Sequence, residues 1–282
     1  MSDKVNAAVE DMFEELDYYK RNEFFSEDEI RDIVKQRKQF EYDMYSSGTT
    51  VQDYLKAIVY EKKLNVEFLH RRQQKTKRVL KMIDFSIKRR IIGLYERMTR
   101  RFRNDISLIK EYVKYLLSTR SLNKFNSVIS RILHIYPNIL DFWLIAVYCE
   151  FDLRGSMQAA RKIMLQGIRR NSDNPDFYFE YMKFELRVLQ KIHKRKVVLE
   201  TSENIEVIEE AKEEKKQPEK QSESVPTIIY TVGESSLVKK FRLDVRLHFK
   251  IKELVNSFSD IIDVQNLLNT VDKHINEVLY TE

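Results

Sequence analysis

The sequence is poor in the residues that interrupt regular secondary structure. It contains five glycines and four prolines among 282 residues. An all-β fold needs frequent turns, and turns depend on these residue types. Long stretches rich in Lys, Glu, Leu and Ile instead show apolar residues at helical spacing. The sequence therefore predicts an all-α fold.

Cysteine is also scarce, because Cys149 is the single cysteine in the sequence. It cannot form an internal disulfide, and its place on an apolar helix stripe predicts buried packing rather than a reactive thiol. No stretch approaches the roughly 18 apolar residues of a membrane span. The polar opening decapeptide does not resemble a secretory leader. We expect a soluble protein of a reducing, intracellular compartment.

Sites for catalysis and cofactors are not evident. The histidines, which are His70, His134, His193, His248 and His274, lack the spacing of metal ligands. No glycine-rich segment ends in the Gly-Lys-Ser/Thr of a phosphate loop. We expect a protein that is not an enzyme and that has no cofactor, metal site or small-molecule substrate.

An internal repeat occupies the middle of the chain. Three aromatic rows begin at Ile109, Trp143 and Tyr178, with steps of 34 and 35 residues. Two helices per period of this length predict a right-handed superhelical solenoid of stacked helix pairs. The predicted repeat core comprises Tyr54, Tyr60, Tyr95, Tyr112, Tyr115, Trp143, Ala160, Tyr178, Tyr181 and Phe184. Such aromatics could stack bases, but their inward helical spacing favours packing.

The repeat resembles the half-a-TPR (HAT) repeat. The resemblance depends on the row Tyr178-x-x-Tyr181-x-x-Phe184-Glu185 and on the preceding Ala160-Arg161-x-x-Met164-x-x-Gly167. HAT repeats occur mostly in RNA-processing proteins. The alternative is an ordinary TPR-like scaffold, which the spacing alone does not separate from HAT.

Four regions are predicted along the chain. Residues 1–48 form an N-terminal helical extension, in which Ser26 and Glu29 make a capping box and Gly48 suits a left-handed turn. Residues 49–195 carry the repeats, with a basic helical extension at 62–103. Residues 196–226 read as a flexible charged insertion, or alternatively as a solvated helix. Residues 227–282 resume HAT-like helices.

Positive charge is concentrated in one stretch. Residues 62–103 hold 15 Lys or Arg against three acidic residues, whereas the whole chain carries a net charge of +6. This density predicts contact with RNA or an RNA–protein particle. The candidate residues are Arg71, Arg72, Lys75, Lys77, Arg78, Lys88, Arg89, Arg90, Arg100, Arg101 and Arg103. A solvated helix face, an acidic protein partner and a nucleolar targeting role stay open as alternatives.

The N-terminal block is more specific than the repeats. Phe24-Phe25-Ser26-x-x-Glu29-Ile30, Ile33-Val34-Lys35-x-Arg37-x-x-Phe40-Glu41-Tyr42, Asp53-Tyr54-Leu55 and Arg71-Arg72 follow one another. This series resembles the start of the U-three small nucleolar RNA-associated protein six family, whose members continue with further helical repeats. The resemblance covers about residues 16–186.

The resemblance implies a non-catalytic scaffold of the nucleolar small-subunit processome. The implied partners are WD-propeller proteins of a processome subcomplex, the U-three snoRNA and the pre-rRNA. The implied process is maturation of small-subunit (18S) ribosomal RNA. Two alternatives remain: a HAT-type adaptor in pre-mRNA splicing or 3′-end processing, and a general TPR-like protein-interaction adaptor.

Overall fold

The computed structural model describes residues 10–75, 82–201, 241, 244–259 and 265–280, and it divides into two compact units. The first unit is Met1–Asn126 and the second is Ser127–Glu282. The described elements are helical, which confirms the predicted all-α class for these residues. They are α1 Phe13–Arg21, α2 Glu27–Tyr45, α3 Val51–Lys75, a short 3₁₀ helix Met82–Phe85, α4 Ser86–Arg101, α5 Ile106–Ser118, α6 Leu122–Ile135, α7 Leu140–Tyr148, a π turn Cys149–Leu153, α8 Met157–Arg170, α9 Pro175–Thr201, α10 Val245–Asn256 and α11 Gln265–Tyr280.

Helix α2 begins where the sequence predicts. The Ser26 hydroxyl accepts from the backbone N–H of Glu29, and the Glu29 carboxylate accepts from the backbone N–H of Ser26. This capping box satisfies two donors that a helix start leaves open. The end of the helix differs from the prediction. Ser46 is extended, and Gly48 is not among the residues with positive φ in the described part of the chain.

An aromatic cluster holds α1 against α3 in the first unit. Tyr19 and Phe24 both contact the Phe68 ring, at centroid distances of 4.9 and 5.5 Å. Phe25 adds an edge contact to Tyr19 at 5.4 Å. All four rings are buried, so the non-helical stretch Asn22–Ser26 is fixed by packing as well as by the cap.

The second unit is built around Trp143. Its ring is 2% exposed, and its Nε1–H donates to the carbonyl of Pro137 at 2.8 Å. Phe177 meets it edge-on, and Gly167 lies so close that an added Cβ would be 3.2 Å from both rings. Gly155 has a φ of 73° and precedes Ser156, which caps α8. Pro175 opens α9 at the first helical position.

Helices α10 and α11 join the same core as α7, α8 and α9. Leu247, Ile251 and Val255 from α10 are buried with Val271 and Ile275 from α11. Helix α9 continues to Thr201, past the predicted start of the insertion at Lys196. Residues 202–226 of that insertion, and the β-branched run 227–232, lie outside the described residues. No helix in the described ranges is long and apolar enough to cross a membrane.

Candidate functional site

The first part of the basic stretch is engaged within the protein. Arg71 binds the Glu29 carboxylate through both Nη atoms, at 2.7 and 2.8 Å, and contacts Glu67. Its guanidinium also lies over the Phe25 ring at 4.7 Å. Arg71 therefore links the start of α2 to α3, and its guanidinium donors bind carboxylates of the protein itself.

Arg72 and Lys75 also have internal partners. Arg72 is buried and pairs with Asp84 at 3.0 Å, and Asp84 accepts from the Tyr18 hydroxyl. Lys75 pairs with Glu23 at 3.6 Å and remains half-exposed. Lys77 and Arg78 lie outside the described residues.

Helix α4 presents the next four cations to different surroundings. Lys88 donates to the carbonyl of Thr119 at 2.9 Å, and burial lowers the pKa of its ammonium. Arg89 is exposed and donates to the carbonyl of Met82 at 3.3 Å. Arg97 binds Glu41 through two hydrogen bonds of 2.9 Å. Arg90 belongs to a buried network described below.

Three exposed arginines end the stretch near the carboxyl end of α4. Arg101 donates to the carbonyls of Met44 and Ser46 at 3.3 and 3.4 Å, and Arg103 donates to the carbonyl of Arg100 at 3.2 Å. The acceptors in these contacts are main-chain carbonyl oxygens. Together with Arg89, these residues remain the accessible part of the predicted cluster; their contact with RNA stays a prediction.

A buried ionic network joins four helices of the first unit. Arg37 on α2 is 2% exposed and binds Glu61 on α3 through Nε and Nη2, at 2.7 and 2.8 Å. Glu15 on α1 accepts from Arg37 Nη2 at 3.2 Å and from the Tyr19 hydroxyl at 2.8 Å. Arg90 on α4 lies 3.7 Å from Glu15 and 4.0 Å from Glu61.

The electrostatics of this network favour its charged form. Burial alone would lower the pKa of Arg37, but Glu61 and Glu15 outweigh it and raise that pKa. Burial alone would raise the pKa of Glu15, and the two arginines reverse this effect and lower it. Burial and the neighbouring Arg37 lower the pKa of Arg90. Two carboxylates and two guanidinium groups thus compensate one another away from water.

The second unit repeats the central ion pair. Arg161 on α8 binds Glu185 on α9 through Nε and Nη2, at 2.8 and 2.7 Å. The two partners are 24 residues apart, as are Arg37 and Glu61. The same two arginine atoms meet the same two oxygens in both pairs. Glu61 follows Tyr60 and Glu185 follows Phe184, so a Glu after an aromatic residue binds an Arg of the preceding helix in two separate places.

A cleft lies beside the buried network in the first unit. Its volume is about 460 Å³, and α1 and α4 provide most of its lining. The lining residues are Asp11, Glu14, Glu15, Glu41, Ile83, Ser86, Arg89, Arg90, Gly93, Leu94 and Arg97. The cleft therefore contains both signs of charge, together with Gly93, which is half-buried and has no side chain.

One residue in the sequence indicated the buried network, because it is a charged residue that does not fit the apolar periodicity of its helix. Arg37 stands on the apolar stripe of α2, between Ile33 and Met44, where a core residue is expected. A charged residue at such a position calls for buried partners of opposite charge. Their identity was not accessible from sequence, because Glu15, Glu61 and Arg90 lie 22 to 53 positions away.

The predicted repeat-core residues mostly lie inside their units. Tyr60 and Tyr115 are half-buried, and the other eight are buried, namely Tyr54, Tyr95, Tyr112, Trp143, Ala160, Tyr178, Tyr181 and Phe184. Tyr95 stacks on Tyr112 at 5.4 Å, and its hydroxyl links Lys62 to Glu111. Their rings are engaged by neighbouring side chains rather than presented for base stacking.

Cys149, His248 and His274 lie in the packed interior. Cys149 is buried, and burial raises the pKa of its thiol. His248 and His274 are buried with ring centroids 4.6 Å apart. Within the described ranges, no three side chains of metal-binding type come together.

Comparison with known proteins gives matches that agree with one another. A model of the family described as U3 small nucleolar RNA-associated protein 6 matches residues 9–90. A relative of that name in Schizosaccharomyces pombe is 28% identical over 202 residues, which cover 71% of this chain and 41% of the relative. The human homologue of that name is 28% identical over 198 residues, covering 70% of this chain and 33% of the homologue. A Dictyostelium discoideum homologue is 24% identical over 187 residues, covering 65% and 30%.

The matched segments cover part of each relative, and the segment matched by the family model includes the buried network. The chain spans between 30% and 41% of the length of these relatives. The family-matched segment contains α1, α2 and α3, three of the four members of the buried network, and Arg90 at its last position. The resemblance inferred from the sequence is confirmed: residues 9–90 match the model of the family described as U3 small nucleolar RNA-associated protein 6.

Proposed function

We propose that the chain acts in the nucleolus as a non-catalytic scaffold of the small-subunit processome, in the processing of pre-rRNA with the U3 snoRNP. The observation that carries this proposal is the family match over residues 9–90, together with relatives named for association with the U3 snoRNA. The proposed partners are the U3 snoRNA, the pre-rRNA and WD-propeller proteins of a processome subcomplex.

The helix pairs are proposed to be repeats of the HAT type. The recurring Arg–Glu pair supports this, because Arg37–Glu61 and Arg161–Glu185 share their spacing and their hydrogen-bonding atoms. A sequence unit that is copied along a chain is expected to repeat such a contact. The right-handed superhelix and the predicted domain divisions at residues 48, 195 and 226 stay predictions.

Copurification tests the proposed process. The tagged chain is isolated from cells, and the RNA that accompanies it is sequenced. Enrichment of U3 snoRNA and pre-rRNA is expected. Enrichment of spliceosomal RNA instead would favour the splicing adaptor, and the absence of both would favour a general protein-interaction adaptor.

The basic surface is tested by charge reversal. Arg89, Arg100, Arg101 and Arg103 are changed together to Glu, because these accessible arginines can bind phosphate without breaking a buried pair. Sedimentation with pre-ribosomal particles is expected to decrease and to become less sensitive to salt. A matched control reverses four exposed cations elsewhere, namely Lys35, Lys56, Lys114 and Arg169. Equal loss in both variants would show that only overall charge matters.

A further inference from the structure

The cleft between α1 and α4 has a size suited to a bound segment of another molecule. Its volume of about 460 Å³ is in the range of roughly 300–1,000 Å³ typical of ligand sites. A few side chains of a peptide would fill it. Of the four accessible arginines, Arg89 lines the cleft, whereas Arg100, Arg101 and Arg103 do not.

The charges of the cleft disfavour a polyanion. Its lining has three arginines and four carboxylates, a net charge of −1. Glu41 compensates Arg97, and Glu15 is shared between Arg37 and Arg90. Asp11 and Glu14 are exposed, and neither has an ion-pair partner among the residues that the structure describes. The exposed carboxylates of Asp11 and Glu14 therefore make this side of the cleft negative, and they would repel phosphate.

The α4 wall supplies hydrogen-bond donors. Arg89 uses one contact, to the carbonyl of Met82, out of the five N–H groups of a guanidinium. Arg90 lies at 3.7 and 4.0 Å from its two carboxylates, which is close enough for ion pairing but too far for hydrogen bonds. Both residues retain donors for a carbonyl or carboxylate oxygen that enters the cleft.

Gly93 belongs to the α4 wall of the cleft and adds no side chain to it. A Cβ added at Gly93 would meet no atom within 4 Å, so internal packing does not require a glycine there. Glycine is unfavourable in a helix interior compared with alanine. Without a side chain at this position, another polypeptide backbone can approach α4 closely.

We propose that this cleft binds a polypeptide segment that carries Lys or Arg side chains. The basic side chain pairs with Asp11 and Glu14, and carbonyl oxygens of the segment accept from Arg89 and Arg90 across Gly93. A polypeptide offers both groups at once, whereas RNA offers acceptors without a cation. The proposal concerns a protein-docking site and does not depend on the processome role.

Fluorescence anisotropy with the purified full-length chain tests the proposal. The probes are a labelled Ala–Lys peptide, an Ala–Glu peptide of the same length and a short single-stranded RNA. The Ala–Lys peptide is expected to bind more tightly than the Ala–Glu peptide. Glu14→Lys should weaken its binding at least about fivefold, since it replaces an attraction by a repulsion.

Gly93→Leu tests the space in the cleft separately from the charges that line it. The leucine side chain enters the cleft from α4 without changing any charge, and it is also expected to weaken binding of the Ala–Lys peptide at least about fivefold by steric exclusion. Lys114→Leu, which adds an exposed leucine on α5, should leave the affinity unchanged. Circular dichroism confirms that each variant is folded, and Asp11→Lys replaces Glu14→Lys if that variant is not.

Two results would overturn the proposal. One is Ala–Lys affinity that is unaffected by Gly93→Leu or by charge reversal on α1. The other is RNA binding that Gly93→Leu abolishes, because the cleft would then belong to nucleic acid. RNA binding that is insensitive to Gly93→Leu reports the separate basic surface and leaves the docking site supported. Since no ribosomal particle is used, failure here is distinct from failure to copurify U3 snoRNA.

Discussion

Arg37 is a charged residue at a position of α2 that faces the apolar core. It is held by Glu61 and Glu15, and its stem lies on the same stripe as Ile33 and Met44. The network brings no net charge into the interior, but each member depends on the others. Removing one partner of a buried pair leaves an uncompensated charge, which is far more costly than the pair is stabilising.

Arg37→Met is therefore expected to lower the free energy of unfolding by about 3–5 kcal/mol, because Glu15 and Glu61 lose their main counter-charge. Urea denaturation of the purified chain measures the change. Arg31→Met provides the control, since Arg31 pairs with Asp28 at the surface of the same helix and should cost about 0–1 kcal/mol. Equal losses in the two variants would contradict the buried-pair account.

The capping box makes the start of α2 sensitive to acid. Hydrogen bonds from Arg71 and from the Ser26 N–H lower the pKa of Glu29 to about 2. A carboxyl with a depressed folded pKa stabilises the protein fully above its unfolded pKa, near 4.3, and loses that contribution as the pH falls through about 2. Acid should therefore weaken this link between α2 and α3.

Glu29→Gln should make stability less dependent on pH between about 4.5 and 2. The effect is expected to be small, because Glu29 is 41% exposed and water screens the pair. Urea midpoints across this pH interval test it, with Glu14→Gln as the exposed control. A Glu29→Gln curve parallel to that of the native chain would show that the Arg71 contact contributes nothing to folding.

At the residue scale, sequence patterns predicted local contacts better than distant ones. Ser26 and Glu29 lie three positions apart, so the capping box could be read directly. Arg71 and Arg72 read as part of an exposed basic run, yet their guanidinium groups bind Glu29 and Asp84. Sequence shows charge density, but it does not show which cations fold back onto carboxylates 12 to 42 positions away.

Two glycines inside helices have opposite surroundings. Gly93 in α4 faces open space, whereas Gly167 in α8 lies against Phe177 and Trp143. A side chain at Gly93 gains helix propensity without a steric cost, and a large one at Gly167 must displace two packed rings.

Gly93→Ala is expected to stabilise the chain by about 0.5–1 kcal/mol, and Gly167→Leu to destabilise it by about 1–3 kcal/mol. Thermal unfolding of the two variants compares them directly. The contrast also controls for the effect of replacing glycine in a helix. A Gly167→Leu variant as stable as the native chain would contradict the close approach of α8 to Trp143.

At the element scale, helix interiors were more predictable than helix ends. Ser156 caps α8 and Pro175 opens α9, and both residue types favour these positions at a helix start. Helix α9 continues to Thr201, into the segment 196–226 for which a flexible insertion and a solvated helix were both predicted, because Lys and Glu sustain a helix without an apolar period. Gly48 was assigned a left-handed turn that the extended Ser46 makes unnecessary.

At the scale of the whole molecule, the family match and the compact unit have different boundaries. The match ends at residue 90, inside α4, whereas the first unit continues to Asn126. The part of α4 beyond residue 90 contributes Ile91, Leu94, Tyr95 and Met98 to the core. A segment cut at residue 90 would lose this apolar stripe.

A fragment of residues 1–126 should therefore unfold in one cooperative transition, and a fragment of residues 9–90 should not. The physical reason is that the shorter fragment lacks four buried side chains, and burial of each contributes about 1.5–3 kcal/mol to the free energy of unfolding. Circular dichroism with heating distinguishes the two fragments. Cooperative unfolding of 9–90 would show that α1, α2 and α3 suffice for a stable core.

The buried network has a consequence for the chain as it is being made. Glu15, Arg37 and Glu61 leave the ribosome before Arg90, and synthesis from residue 61 to residue 90 takes roughly 1.5 to 6 seconds at about 5–20 residues per second. During this interval the network lacks its fourth charge, and α4 is not there to close the unit. We expect the nascent chain to remain accessible to chaperones and proteases until Arg90 has emerged. The first unit should therefore complete its folding only after α4 has been synthesised.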